Sequence, residues 1–72
     1  MQIAQKLREI RTDRDKSQAE IANVLGTTQQ YYGQYELEKR KIPVEHLATL
    51  CNYYGVSADY ILGLPKGLSW PR

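Results

Sequence analysis

The sequence predicts an all-α domain of five short helices. Apolar residues recur at three- and four-residue spacing, and no stretch alternates apolar and polar as a half-buried strand does. Ser, Thr, Gly and Pro also punctuate the chain at intervals that suit the caps of brief helices. Seventy-two residues make at most one domain. A chain of that size withdraws only about 60% of its unfolded surface from water, which leaves little room for a large catalytic cleft.

The first helix is predicted from Gln2 to Arg14, with Ile3, Leu7 and Ile10 on one face among Gln, Lys, Arg and Glu. Ser17-Gln18-Ala19-Glu20 has the form of a capping box, in which hydroxyl and carboxylate each satisfy a backbone N–H. A second helix therefore starts there, runs through Ile21, Ala22, Val24 and Leu25, and stops at Gly26. Thr28 offers the N-cap of a third, from Gln29 to about Leu37. On it Tyr31, Tyr32 and Tyr35 share one side, and Gln30, Gly33 and Gln34 share a polar one. Glu38 to Ile42 form a basic loop, followed by Pro43, which suits the first turn of helix four. Leu47, Leu50, Cys51 and Tyr54 then make the stripe of a buried face ending at Gly55. Ser57 caps a last helix through Tyr60, Ile61 and Leu62, stopped by Gly63 and Pro65. The expected organisation is one domain over 1–64 and a tail over 65–72 that has no periodicity.

Composition narrows the function classes. Hydrophobic residues at 42% and charged ones at 25% are ordinary for a soluble domain, and no apolar run approaches the ~20 residues of a membrane span. The chain starts directly in a charged amphipathic pattern, unlike a signal peptide, so a cytoplasmic location is expected. One cysteine, Cys51, and one histidine, His46, supply neither a disulfide framework nor a zinc set, and no metal or cofactor is expected. His46 is placed on the outer side of helix four, and Cys51 is expected to act as a buried small hydrophobe. With no paired carboxylates, no nucleophile and base, and no phosphate loop, the chain is not expected to be an enzyme. The net charge of +2 is small. It is nevertheless unevenly spread, because residues 1–36 balance five positive against five negative side chains while Lys39, Arg40 and Lys41 stand together.

Two short capped helices joined across Gly26 and a Thr pair, about 17–37, make a helix-turn-helix arrangement. Its second helix presents its amino end outward, a geometry that suits the major groove of DNA. Gln29, Gln30 and Gln34 fit that use, because an amide carries a donor and an acceptor side by side and can pair with adenine N6 and N7. Gly33 between them costs roughly 1 kcal/mol of helix propensity relative to Ala. Either the helix approaches the groove closely there, or glycine is simply tolerated. Lys39, Arg40 and Lys41 would flank the groove and meet phosphates, and the Tyr31 hydroxyl can do the same. Arg11, Arg14 and Lys16 are offset by Glu9, Asp13 and Asp15 and are expected to form a solvent face. Tyr32, Tyr35 and Tyr54 sit at core spacings and are assigned to packing.

The segments Ser17-Gln18-Ala19-Glu20-Ile21-Ala22, Gly26-Thr27-Thr28-Gln29-Gln30 and Tyr35-Glu36 resemble the Cro/cI-type helix-turn-helix repressors, the XRE family, over about Leu7 to Gly63. The likeness extends to the lambdoid phage repressors, whose recognition helices also begin Thr-Thr-Gln-Gln with a further Gln four positions on. The resemblance implies a compact five-helix lambda-repressor-like domain and a homodimer on two half-sites of double-stranded DNA. It places Gln18 and Thr28 at phosphate or positioning contacts, gives base reading to Gln29, Gln30 and Gln34, and makes Arg11 and Glu36 a structural ion pair. A repressor is the expected function; the alternative is an antitoxin-like module that holds a protein partner through its tail. Tyr60, Leu62, Leu64, Leu68 and Trp70 are the candidate apolar contacts for a second chain. Three departures stand out. Glu38 replaces a common glycine, so the turn is strained by ~1–2 kcal/mol or built differently. Lys16 stands where an apolar residue is frequent, and Val44 where a capping Ser or Thr is.

Overall fold

The computed structural model describes residues 3–63 and contains α1 (Ile3–Asp13), α2 (Gln18–Leu25), α3 (Gln29–Glu36), α4 (Val44–Tyr54) and α5 (Ala58–Leu62). Among the described residues there is no strand. Side chains stand in for the backbone partners that a helix start lacks. Ser17 Oγ accepts from the Glu20 N–H at 3.0 Å while Glu20 Oε1 accepts from the Ser17 N–H at 2.9 Å. Thr28 Oγ1 accepts from the Tyr31 N–H at 3.1 Å, and Ser57 Oγ from the Tyr60 N–H at 3.3 Å. Gly26, Gly55 and Gly63 end α2, α4 and α5 with φ of 71°, 72° and 71°.

Three boundaries differ from the expectation. The first helix stops at Asp13, and α3 stops at Glu36 with Leu37 as its cap. Pro43 is the residue before α4, not its first helical one: its ring holds φ at −66°, but ψ is 154°, so the chain is still extended there. Helix α4 consequently opens without a side-chain cap. Residues 64–72, which include Leu64, Leu68, Trp70 and the tail boundary, lie outside the described residues, as does Gln2.

The end of α3 decides between the two constructions open to Glu38. Its φ is 62°, the left-handed region. The Lys39 N–H returns to the Gln34 carbonyl at 2.9 Å and the Glu38 N–H to that of Tyr35 at 3.3 Å, the paired bonds of a Schellman turn. The turn is therefore of the usual kind and carries the strain of a Cβ. Glu38→Gly is expected to raise stability by about 1 kcal/mol, measured by urea unfolding. A destabilised variant would mean that the Glu38 side chain contributes more than the backbone relief. Helix α1 ends similarly, with Asp15 at φ 54° and the Lys16 N–H on the Arg11 carbonyl at 3.0 Å; aspartate accepts this conformation more readily than most residues.

The core takes Leu7 and Ile10 from α1, Ile21 and Ala22 from α2, Tyr32 and Tyr35 from α3, Leu47, Leu50 and Tyr54 from α4, and Ile61 from α5. Helix α1 packs on α3 and α5, and α2 packs on α3 and α4. The three tyrosines assigned to packing are thus buried. Two placements differ from the sequence reading. His46 is half-buried, because its Nδ1 lies 3.0 Å from the hydroxyl of buried Tyr35 and gives that phenol a partner. Cys51 is half-buried at the core's edge. Arg14 belongs to no solvent face alone: its Nη1 donates to the Tyr54 carbonyl at 2.9 Å and its guanidinium lies 5.7 Å from the Tyr54 ring centre. It covers the end of α4.

Candidate nucleic-acid interface

Helix α3 begins with its polar residues in water. Thr28, Gln29 and Gln30 are exposed, Tyr31 is 37% exposed, and Gln34, one turn on, is half-buried. The Thr28 hydroxyl accepts within the cap, which leaves its O–H proton free to donate outward. Gly33 is buried and faces α2, where an added Cβ would stand 3.4 Å from Gln18 Oε1. It does not lie on the wet face with Gln30, so close approach to a groove is not its reason. There it packs against the Gln18 amide, at a distance where a Cβ would make ordinary contact.

That amide belongs to a network that anchors α3 from behind. Arg11 grips Glu36 with two bonds, Nε to Oε2 at 2.7 Å and Nη2 to Oε1 at 3.0 Å, and its Nη1 donates to the Lys16 carbonyl at 2.9 Å. Gln18 Nε2 adds a bond to Glu36 Oε1 at 3.1 Å. The bidentate fork fixes orientation as well as position. The pair is well covered, at 14% exposure for the Arg11 side chain and 2% for Glu36. Burial pushes the Glu36 carboxyl up, but Arg11, Tyr32 and Gln18 together outweigh it and hold the group below its ordinary value. The Tyr32 hydroxyl faces this carboxylate without well-formed hydrogen-bond geometry, and burial drives its pKa well above the usual phenol range. The Tyr54 hydroxyl is also buried without a partner, and burial pushes it up to about 12. Gln18, for which a phosphate contact was expected, thus turns its amide inward. The sequence carried no local sign of this, since Gln18 and Glu36 meet only when α2 crosses α3.

Beyond α3, Lys39, Arg40 and Lys41 are exposed and none forms an ion pair among the described residues. Arg40 is ordered on α3: its Nε donates to Gln34 Oε1 at 3.0 Å and its guanidinium lies 4.7 Å from the centre of the Tyr31 ring. Tyr31 in turn meets Tyr35 edge-to-face at 5.7 Å. Spacing along the chain gave no hint of the Arg40 contacts, which depend on the path of the Glu38 turn. No group of His, Cys, Asp and Glu among the described residues is arranged to hold a metal ion, and no helix there is long and apolar enough to cross a membrane.

Comparison with known proteins agrees with this architecture. A helix-turn-helix family model matches residues 7–61. Two curated proteins of Bacillus subtilis (strain 168) are each 40% identical over 60 residues, or 83% of this chain: the uncharacterized HTH-type transcriptional regulator YobD and the SPbeta prophage-derived uncharacterized HTH-type transcriptional regulator YonR. The chain spans about half of their lengths, 54% and 56%. The capped α2 and α3, the turn at Gly26 and the match over 7–61 place the chain in the helix-turn-helix family, of the XRE type.

Proposed function

We propose that the chain is a sequence-specific DNA-binding transcriptional regulator, a repressor that acts as a homodimer and sets α3 in the major groove. The observation that carries this is the placement of Gln29 and Gln30, both exposed at the amino end of a helix anchored from behind, beside a run of basic residues that forms no ion pair among the described residues. In this reading Gln29, Gln30 and Gln34 contact base edges. Thr28, the Tyr31 hydroxyl, Lys39, Arg40 and Lys41 meet phosphates, and Gln18, its amide turned inward, contributes its backbone N–H at the start of α2. The names of the two relatives support a role in transcription. A modest net charge of +2 implies modest non-specific affinity, so two linked half-sites supply the strength. Cytoplasmic location follows from that role.

Gln29→Ala and Gln30→Ala are expected to cost about 1–3 kcal/mol at one base pair each. Binding to a selected duplex and to random duplex, compared by mobility shift, checks this. Equal losses on both would remove base reading from these residues.

A further inference from the structure

Given that α3 enters the major groove as proposed above, we infer that Arg40, beyond the phosphate role given to it there, sets the base preference of Gln34, turning it from an adenine reader into half of a donor-rich unit that selects guanine. Three exposed or half-exposed groups make the unit: the Tyr31 ring as a platform, the Arg40 guanidinium 4.7 Å from its centre, and the Gln34 amide bonded to Arg40 Nε at 3.0 Å. An arginine has only donors, so the amide must turn its oxygen toward it. The orientation of the Gln34 amide is thereby fixed, with Nε2 facing away from Arg40. Backbone bonds hold the same geometry, because the Gln34 carbonyl accepts from the Lys39 N–H at 2.9 Å and the Arg40 N–H at 3.3 Å.

The chemistry follows from what is left. Pairing with adenine needs the amide oxygen for the N6 amine and the amide nitrogen for N7. Here one of the oxygen's two lone pairs already has a charged donor, and an adenine N6 amine brought to the other would stand beside the Arg40 guanidinium, donor against donor. The outward groups are then dominated by donors, the Gln34 N–H pair and the Arg40 terminal N–H groups. Guanine presents two acceptors, O6 and N7, on the same edge, whereas adenine would set its N6 donor against them. Gln29 and Gln30 have no such partner among the described residues and keep both halves of the amide available. The half-site should therefore contain one guanine-selecting position next to adenine-compatible ones.

The test is selection from a random duplex library with the 72-residue chain and its Arg40→Lys, Arg40→Ala and Gln34→Ala variants, at two salt concentrations. The unmodified chain is expected to favour guanine over adenine about tenfold at one position, a preference lost in Gln34→Ala. Arg40→Lys keeps the charge but lacks the planar fork, so it should bring guanine and adenine to within about twofold there while the salt dependence stays unchanged. Arg40→Ala should do the same and also flatten the salt dependence by about one charge. A guanine preference intact in Arg40→Lys overturns the inference while leaving base reading by α3 in place. An unmodified chain without any base preference overturns both.

Discussion

Arg11→Ala is expected to lose about 3–5 kcal/mol of folding stability, the usual result of stranding one member of a buried ion pair. A single core in a chain this short rarely supplies more than about that amount, so the variant should be largely unfolded at room temperature. The cause lies with the partner left behind: Glu36, whose side chain is 2% exposed with Arg11 in place, would keep only Gln18 among the described residues as a polar contact of good geometry. Circular dichroism melts and urea titration measure the loss. Replacing both members together, Arg11→Met with Glu36→Leu, removes the charge along with its partner and should recover most of the stability. A melt of Arg11→Ala within a few degrees of the original would show that Glu36 is rehydrated at little cost.

Acid should weaken the fold through the same carboxylate. Glu36 is held below its ordinary value of 4.5 in the folded chain, so as pH falls the unfolded state takes up its proton first. Its contribution is therefore complete above about pH 4.5 and is lost as pH falls through the lower folded value. Melting temperature followed from pH 7 to pH 3 should be level with respect to this group and then drop. Glu36→Gln should start less stable at neutral pH and show a shallower acid slope. Glu20, held low by the Ser17 amide, titrates in the same sense and remains in the variant, so the slope should diminish without vanishing. Equal slopes in the two proteins would place the acid lability in other groups.

Legibility in the sequence tracked the range of the interactions. Capping bonds connect residues three apart, such as Ser17 with Glu20 and Thr28 with Tyr31, and residue types at that spacing announce them. Buried stripes such as Leu47, Leu50 and Tyr54 are equally local, since a helix alone puts them on one side. The boundary at Pro43 was off by one residue because ring geometry restrains φ and leaves ψ to the loop. Contacts between distant residues were harder to see. Arg11 with Glu36 was suggested only by family resemblance, while Arg14 with the Tyr54 carbonyl and Tyr35 with His46 had no sequence signal.

The order of amino acids alone therefore established five helices, three of them opened by a Ser or Thr cap, the apolar faces that join them, and the helix-turn-helix between Ser17 and Leu37. How the polar side chains point came from the folded chain. Gln18 turns inward against Gly33 because α2 crosses α3 there, and Gln34 gives its oxygen to Arg40 because the Glu38 turn returns the loop over α3. An amide satisfies its hydrogen bonds equally well with water, protein or a base edge, so residue type leaves its direction open until packing has chosen its neighbours.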